Sequence, residues 1–515
     1  MRIFFNIANA WHQINRMPSI SRGEMRSRLL IRILICASLL SFSTPLLLHA
    51  AERNAVYALQ QLIDRLFTKR ISARASNAVK VASAATGEVL YERNASTLLT
   101  PASTMKLFTS ATALATLGRG YGFRTLVSTD DTADGMAIID GNLFLEGFGD
   151  PYLTSPDLKN LAAYLSKRGL REVKGDVVGD ESFFDHASAC INENGKDYSS
   201  IRLPHLSSLT VDMNLLTVTL SPARRKGAKV IVGFPGGGSF FKVVNRTASV
   251  NARVRYRPSV KAVWTDSECT IIIDGRMAIG SRSRVYNIPV RCPAWYAAAL
   301  FRKYLQEEGV SVDGNARVGD APRGNRQLAE NNDPIVAVLT AMNKESDNFA
   351  AEMVMRTLGA ENDHPPGTAS KGIKAINDFL DDIGVSRASH RIYDGSGRSH
   401  QNAVSADAFV ELLRYMYSRR DLFYAFYSTL PSAGVDGTLQ SRMSGTDAAG
   451  NLRAKTGTLN GVTSLAGYVK SADEELLVFS ITSQDFSSGR RRYKSLQDRI
   501  GVTLAKFSRD QYSGN

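Results

Sequence analysis

Three short polar motifs, separated by long stretches of chain, constrain the fold more than any other feature of the sequence. Ser103-Thr104-Met105-Lys106 opens an apolar, alanine-rich segment, Ser346-Asp347-Asn348 lies in the second half of the chain, and Lys455-Thr456-Gly457-Thr458 lies near its end. These motifs can serve one site only if the fold brings them together. Their order favours a central helix for the first motif, a loop leading into a helix for the second, and an edge strand for the third.

The first motif pairs a hydroxyl with an amine. If the segment after residue 103 is a helix, Ser103 and Lys106 lie on one face within reach of each other. A serine hydroxyl is a weak nucleophile at neutral pH, whereas a lysine held in a dry pocket among other cations can lose its proton and act as the base. Alone, the pair has a simpler interpretation, an N-capping serine followed by a solvated lysine. The two further motifs in this order favour a site.

The predicted catalytic residues are Ser103, Lys106 and Ser346. We expect Ser103 to attack a carbonyl carbon and Lys106 to take its proton. Ser346 can then relay a proton to the leaving amine. The developing oxyanion needs two donors, and the backbone N–H groups of Ser103 and Thr458 are the predicted ones.

The other motif residues are predicted to bind substrate. Asn348 would position the substrate amide, and Lys455 would supply positive charge for a terminal carboxylate, with hydroxyls from Thr456 and Thr458. The predicted binding set is Asn348, Lys455, Thr456, Gly457 and Thr458. No Cys/His cluster has zinc spacing, so no metal and no cofactor are expected.

The first fifty residues are typical of a secretory signal. Arg26, Arg28 and Arg32 precede an apolar run from Ile33 to Leu48, and His49-Ala50-Ala51 offers a small-residue cleavage site. We predict a cleaved signal peptide over residues 1–51 and a periplasmic protein, with Met25 as an alternative start. An uncleaved membrane anchor is the competing interpretation, although the run is shorter than the roughly 20 apolar residues that a span needs.

The chain is basic even without this segment. The formal net charge is +14, and the six arginines and one glutamate of residues 1–50 account for +5 of it. A basic surface favours an anionic partner such as a cell-wall polymer or phospholipid head groups, with a solvated surface as the alternative. We expect no nucleic-acid partner. The sequence leaves peripheral membrane association and the oligomeric state, monomer or dimer, open.

Three cysteines remain after the signal: Cys190, Cys269 and Cys292. Because Cys269 and Cys292 flank two strand-like runs and an exported compartment permits disulfides, we predict that these two pair and leave Cys190 without a disulfide partner. Three reduced thiols are the alternative.

The pattern of apolar residues predicts an α/β fold with a long insertion. Strand-like runs at 78–83 and 89–92, and three more between 452 and 483, predict a five-stranded antiparallel sheet flanked by helices, facing an all-helical part across the cleft. Between them, evenly spaced short strands with few helices predict one or two all-β modules inserted into the catalytic unit.

With these motifs the chain resembles the class C low-molecular-mass penicillin-binding proteins, the D-alanyl-D-alanine carboxypeptidase/endopeptidases of the penicillin-binding protein 4 type. The resemblance extends to Gly149-Asp150-Pro151, Tyr393-Asp394-Gly395-Ser396-Gly397 and Ala433-Gly434-Val435-Asp436-Gly437-Thr438. It implies the transpeptidase-like fold shared with serine β-lactamases, with two inserted domains nested in the catalytic one. On this resemblance the predicted segments are the signal at 1–51, the first catalytic segment at 52–125, inserted domain II (α+β) at 126–207 and 286–294, inserted β-rich domain III at 208–285, and the second catalytic segment at 295–515. It also implies an exported enzyme that cleaves the terminal D-Ala, or a D-Ala cross-link, of peptidoglycan stem peptides through an acyl-enzyme that β-lactams trap.

Two stretches depart from the family pattern. Arg398-Ser399-His400 stands where the family usually has Leu-Ser-Arg, and Ala189 to Asn194 replaces a Trp-rich segment. Both lie where the family recognises the diamino-acid side chain, so the preferred diamino acid stays open. Two rival functions share the motifs: a penicillin-binding sensor or scaffold without turnover, and a β-lactamase. The β-lactamase is disfavoured because no Glu-x-x-x-Asn lies between the second and third motifs.

Overall fold

The computed structural model describes residues 54–68, 71, 75–185, 204–237, 240–251, 257–264 and 268–510. The chain divides into a large unit, residues 62–506, and a small one formed by residues 1–61 and 507–515. In the small unit the described residues before 62 are helical, and the helix, α1, runs over residues 54–66. Within the described ranges no helix is long and apolar enough to cross a membrane. The predicted signal peptide and Cys190 lie outside these ranges.

A five-stranded antiparallel sheet forms one wall of the large unit. Its strands are β1 Ser76–Ser83, β2 Val89–Arg93, β19 Arg453–Leu459, β20 Val462–Lys470 and β21 Leu476–Gln484. Their order in the sheet is β19-β20-β21-β1-β2, so the first two strands of the chain pair with the last three. Ser76 lies opposite Gln484, which fixes the register between β1 and β21. Strand β19 is an edge strand, as the sequence predicts for the third motif.

A helical part packs against this sheet and contains the first core. Helix α2, Lys106–Leu117, is buried along its first nine residues, because nearly every one of its side chains is small or apolar. Its neighbours in the core include Phe409 and Leu358, and Phe108 packs on Phe409 with ring centroids 4.9 Å apart. The other helices are α5 Ile335–Lys344, α6 Asn348–Asp363, α7 Ala369–Asp382, α8 Ala406–Ser418, α9 Arg420–Thr429 and α10 Arg490–Lys506, with a short hairpin of β17 His390–Arg391 and β18 Ala403–Val404.

The long insertion leaves the helical part and returns to it at neighbouring positions. Strand β3, Gly122–Thr129, follows α2, and strand β16, Arg326–Pro334, precedes α5; the two pair antiparallel with Gly122 opposite Pro334. The other elements at the two ends of the insertion are β4 Ile138–Ile139, β5 Leu143–Gly147, α3 Ser155–Lys167, β6 Glu172–Val173, β7 Val177–Asp180, α4 Pro293–Glu307, β14 Ser311–Val312 and β15 Ala316–Val318. Strands β3 and β16 belong to a second five-stranded sheet of order β15-β7-β5-β3-β16.

The middle of the insertion is β-rich, as predicted. Its strands are β8 Leu215–Ser221, β9 Ile231–Gly233, β10 Lys242–Val250, β11 Ser259–Trp264, β12 Cys269–Ala278 and β13 Arg284–Pro289. They form two three-stranded sheets, of order β10-β12-β11 and β13-β8-β9. Helix α4, which the sequence analysis assigns to the second catalytic segment, contributes Trp295, Tyr296 and Leu300 to the core of the insertion. The predicted domain boundaries stay a prediction, and this packing leads us to expect the return nearer to Pro334 than to residue 295.

The predicted disulfide is wrong. No bond joins Cys269, at the start of β12, to Cys292, which precedes α4. A place on either side of two strand-like runs does not determine the distance and orientation of the two Cβ atoms, on which a disulfide depends. Instead Cys269 is buried in the core of the insertion as a small apolar side chain, and burial raises the pKa of its thiol to about 12.

Candidate active site

The first motif forms a tight turn that leads directly into the buried helix α2. Ser103 lies in a 3-10 turn, Ala102–Met105, and is half-buried, while Lys106 begins α2 and is 0% exposed. The backbone enters this turn under strain, since Ala102 has φ of 49° although it is not a glycine. The Lys106 Nζ atom lies 3.3 Å from the Ser103 Oγ atom. The hydroxyl and the amine therefore lie within reach of each other, as the helical spacing predicts.

Lys106 Nζ has two further polar neighbours at shorter distances. It donates to Asn348 Oδ1 at 2.7 Å and to the carbonyl oxygen of Ser396 at 2.8 Å. Burial lowers the pKa of Lys106 to about 8, although the carboxylates of Asp394 and Glu352 act in the opposite direction. Burial thus brings the loss of a proton from this amine closer to neutral pH, which favours its action as a base for a serine hydroxyl.

The second motif connects α5 to α6. Ser346 has φ of 58°, and the carboxylate of Asp347 caps α6 by accepting from the N–H groups of Phe349 and Ala350. The cap fixes the start of the helix, so that Asn348 points toward Lys106. Tyr152, from the insertion, donates to Asp347 Oδ2 at 3.2 Å.

The third motif brings a second buried lysine to the cleft. Lys455 Nζ donates to Ser346 Oγ at 2.8 Å and to the carbonyl oxygen of Thr456 at 3.0 Å. Burial, with a smaller contribution from the charge of Lys106, holds the pKa of Lys455 well below its usual range. A carboxylate bound beside it would favour the charged form. The structure thus joins all three motifs by side-chain contacts: Lys106 to Ser103 and Asn348, and Lys455 to Ser346.

Gly457 lets strand β19 approach the turn that carries Ser103. A Cβ atom at this position would lie 2.0 Å from Ser464 Oγ and 2.8 Å from the carbonyl oxygen of Pro101. Real Cβ atoms do not come this close to backbone, so only glycine fits. Next to it, Thr456 Oγ1 donates to Thr438 Oγ1 at 2.7 Å, and Thr458 is half-buried at the cleft.

Sequence reasoning missed several residues that hold the site together. Ser464 Oγ and Thr104 Oγ1 both donate to the carbonyl oxygen of Pro101, at 2.5 and 2.6 Å, and so fix the turn two residues before Ser103. The carbonyl of Ser396 contacts Lys106 directly. The sequence signal for Ser396 is its place in the turn Tyr393-Asp394-Gly395-Ser396-Gly397, which belongs to the family resemblance. No sequence motif contains Ser464.

The chain matches one family of known proteins along nearly its whole length. Residues 59–506 match the D-Ala-D-Ala carboxypeptidase 3 (S13) family. The chain is 32% identical to a D-alanyl-D-alanine carboxypeptidase of Actinomadura sp. (strain R39), over 95% of this chain and 92% of that protein.

Solved structures show the same fold. A crystal structure of penicillin binding protein 4 from Haemophilus influenzae superposes with a TM-score of 0.71 at 24% identity, covering 86% of this chain and 99% of that one. A second structure of that protein, in complex with a β-lactam, gives a TM-score of 0.67 at 24% identity with the same coverage. The predicted fold class is confirmed.

Proposed function

The chain belongs to the D-Ala-D-Ala carboxypeptidase 3 (S13) family, and we infer that it is a serine-type D-Ala-D-Ala carboxypeptidase acting on peptidoglycan stem peptides through an acyl-enzyme on Ser103. One observation carries the residue assignment: the buried amine of Lys106 lies 3.3 Å from the Ser103 hydroxyl while two other acceptors hold it in place. β-Lactams are expected to acylate the same oxygen, since a β-lactam complex exists for the structurally similar Haemophilus influenzae protein.

Acylation begins with neutral Lys106. Two of its N–H groups stay on Asn348 Oδ1 and the Ser396 carbonyl oxygen, which leaves its lone pair free to face Ser103 Oγ. As the Ser103 oxygen forms its bond to the substrate carbonyl carbon, its proton moves to the Lys106 nitrogen. Two N–H groups of the protein backbone, those of Ser103 and Thr458, are proposed to bind the oxyanion.

The tetrahedral adduct then expels D-alanine. The carbon–nitrogen bond breaks, and the leaving nitrogen needs a proton. Ser346 can donate its own proton, and the proton that Lys106 took from Ser103 then replaces it, which leaves Lys106 neutral again for deacylation. Lys455 Nζ, which donates to Ser346 Oγ at 2.8 Å, holds this hydroxyl in place. Deacylation reverses the roles: water attacks the ester carbon, neutral Lys106 takes the water proton, and Ser103 leaves with a proton returned to it.

The terminal carboxylate of the substrate is proposed to bind at β19. Lys455 offers the charge, and the hydroxyls of Thr456 and Thr458 offer hydrogen bonds. Thr456 donates to Thr438 Oγ1 at 2.7 Å, and it could turn to a carboxylate at the cost of that single neutral bond. A terminal carboxylate is what separates a carboxypeptidase substrate from an internal peptide bond.

The test is product release by the mature chain, residues 52–515. Incubated with a pentapeptide that ends in D-Ala-D-Ala, it is expected to release free D-alanine, and fluorescent penicillin is expected to label it covalently and block that release. Labelling without release would instead indicate the sensor, and fast hydrolysis of the penicillin would indicate a β-lactamase. Mass spectrometry of cross-linked muropeptides incubated with the enzyme would show whether it is also an endopeptidase.

We further propose that the chain is exported to the periplasm with residues 1–51 removed. The support is the arginine-flanked apolar run followed by a small-residue site. N-terminal sequencing of the protein from a periplasmic fraction is expected to begin at residue 52, and an intact N-terminus in the membrane fraction would contradict this. Release from membranes by salt in the same fractionation would support peripheral contact of the basic surface with phospholipid head groups.

A further inference from the structure

A short turn supplies one of the three polar contacts of Lys106 Nζ. The turn, residues 394–399, presents the Ser396 carbonyl oxygen to Lys106 Nζ at 2.8 Å. On its other side it packs against the Ser103 turn, since a Cβ atom on Gly397 would lie 1.8 Å from the carbonyl oxygen of Ala102. A displacement of this turn would therefore move the base relative to the nucleophile.

Asp394 organises the turn from within. Its Oδ1 atom accepts from the N–H groups of Ser396 at 3.1 Å and Gly397 at 2.6 Å, and its Oδ2 atom accepts from that of Ser399 at 2.7 Å. Thr109, on α2, donates to the carbonyl oxygen of Gly395 at 2.7 Å.

Glu352 contacts the same turn from helix α6. It lies on α6 four residues after Asn348, so the two side chains share a face of the helix. It is 4% exposed, and its Oε1 atom accepts from the N–H group of Ser396 at 3.1 Å. One residue, Ser396, therefore connects Glu352 through its N–H group to Lys106 through its carbonyl oxygen.

The charges around Glu352 come from three elements. Asp394 faces it from the turn, Arg356 from its own helix and Lys106 from α2. Burial raises the pKa of Glu352 to about 7, with Asp394 acting in the same direction and Arg356 and Lys106 opposing. Conversely, the negative charge of Glu352 favours the protonated form of Lys106. The carboxyl group and the base thus influence each other's proton affinity.

We propose that Glu352 is a positioning residue for the general base: it fixes the Ser396 peptide so that its carbonyl oxygen holds Lys106 toward Ser103. The negative charge of Glu352 also favours the protonated form of Lys106, which supplies a pH-dependent readout. This inference rests on the proposed role of Lys106.

The test is the rate of acylation by fluorescent penicillin as a function of pH, with non-covalent affinity measured separately from the acylation rate. Glu352→Gln keeps an oxygen that can accept from Ser396 but removes the charge. Its acylation rate is expected to rise with pH along a curve shifted about one unit lower than wild type, with the same plateau. Glu352→Ala also removes the acceptor, although Asp394 still holds the Ser396 N–H group. Its plateau is expected to fall about tenfold with unchanged penicillin affinity.

The matched control is Glu361→Gln, on the exposed end of the same helix, whose profile should superimpose on that of wild type. A Glu352→Gln profile that also superimposes on wild type would overturn the inference, as would a Glu352→Ala variant that loses affinity and rate together. Because glutamine has nearly the shape of glutamate, the first variant stays informative even if the alanine variant does not fold. If wild type itself is not acylated, or Lys106 proves dispensable, the proposed function fails; if only the Glu352 profiles disagree, this inference alone does.

Discussion

Ser103→Ala is expected to abolish covalent labelling by penicillin and to reduce D-alanine release about a millionfold, the size of effect seen when a serine nucleophile is removed. Without the Oγ atom no ester can form, and no other hydroxyl lies at the same place relative to Lys106. The fold should survive, because the only hydrogen bond of this side chain among the described contacts is the 3.3 Å contact with Lys106 Nζ. Mass spectrometry of the intact protein after incubation with penicillin measures the adduct directly.

Ser370→Ala provides the matched control, since Ser370 is an exposed serine on α7. This variant should label and release D-alanine like wild type. A penicillin adduct on the Ser103→Ala protein would show that another residue is the nucleophile.

Lys106→Met carries the second largest expected effect. Methionine has nearly the length of lysine but no amine, so the acylation rate should fall by about a hundredfold to ten-thousandfold, the usual contribution of a positioned base. In wild type the rate should rise with pH through about 8, because burial lowers the pKa of Lys106 to about 8 and only the neutral amine can accept the proton of Ser103. Stopped-flow fluorescence with labelled penicillin measures both the rate and its pH dependence.

Thermal stability gives an independent check on the burial of Lys106. Below pH 8 the folded state holds a buried ammonium, and since its pKa is lower in the folded than in the unfolded state, this group disfavours folding there and disfavours it less as the pH rises. Lys106→Met removes this penalty but also leaves Asn348 Oδ1 and the Ser396 carbonyl oxygen without their donor, so its melting temperature at neutral pH should stay near that of wild type. The control is Lys374→Met, on exposed α7 surface, which should not alter acylation. Wild-type acylation by Lys106→Met would remove this residue from the mechanism.

The sequence predicted the elements of the catalytic part because their apolar patterns are strong. The helix after Ser103 is nearly all small and apolar residues, and the strand-like runs of β1, β20 and β21 contain several β-branched residues. The three motifs also predicted their own elements, with Lys455 on an edge strand. The roles assigned to the motif residues stay predictions until the variants above are measured.

Other parts of the site lay beyond sequence reasoning for physical reasons. The Ser396 contact with Lys106 uses a backbone carbonyl, which every residue has, so no side-chain pattern reveals it. From its sequence context alone, Glu352 would be assigned to an exposed helix face, because nothing there indicates that the turn of residues 394–399 packs against it. The predicted disulfide between Cys269 and Cys292 is wrong because separation along the chain says little about the orientation of two Cβ atoms.

The pairing of the first strands of the catalytic sheet with the last has a consequence for biosynthesis. Strand β1 cannot pair along its full length with β21 until residue 484 has been made. The sheet that contains Lys455 is therefore incomplete until then. A nascent polypeptide therefore carries Ser103 and Lys106 for most of its translation without a pocket for a carboxylate. Such long-range pairing folds slowly. We therefore expect acylating ability to arise only when the last tenth of the chain has left the ribosome.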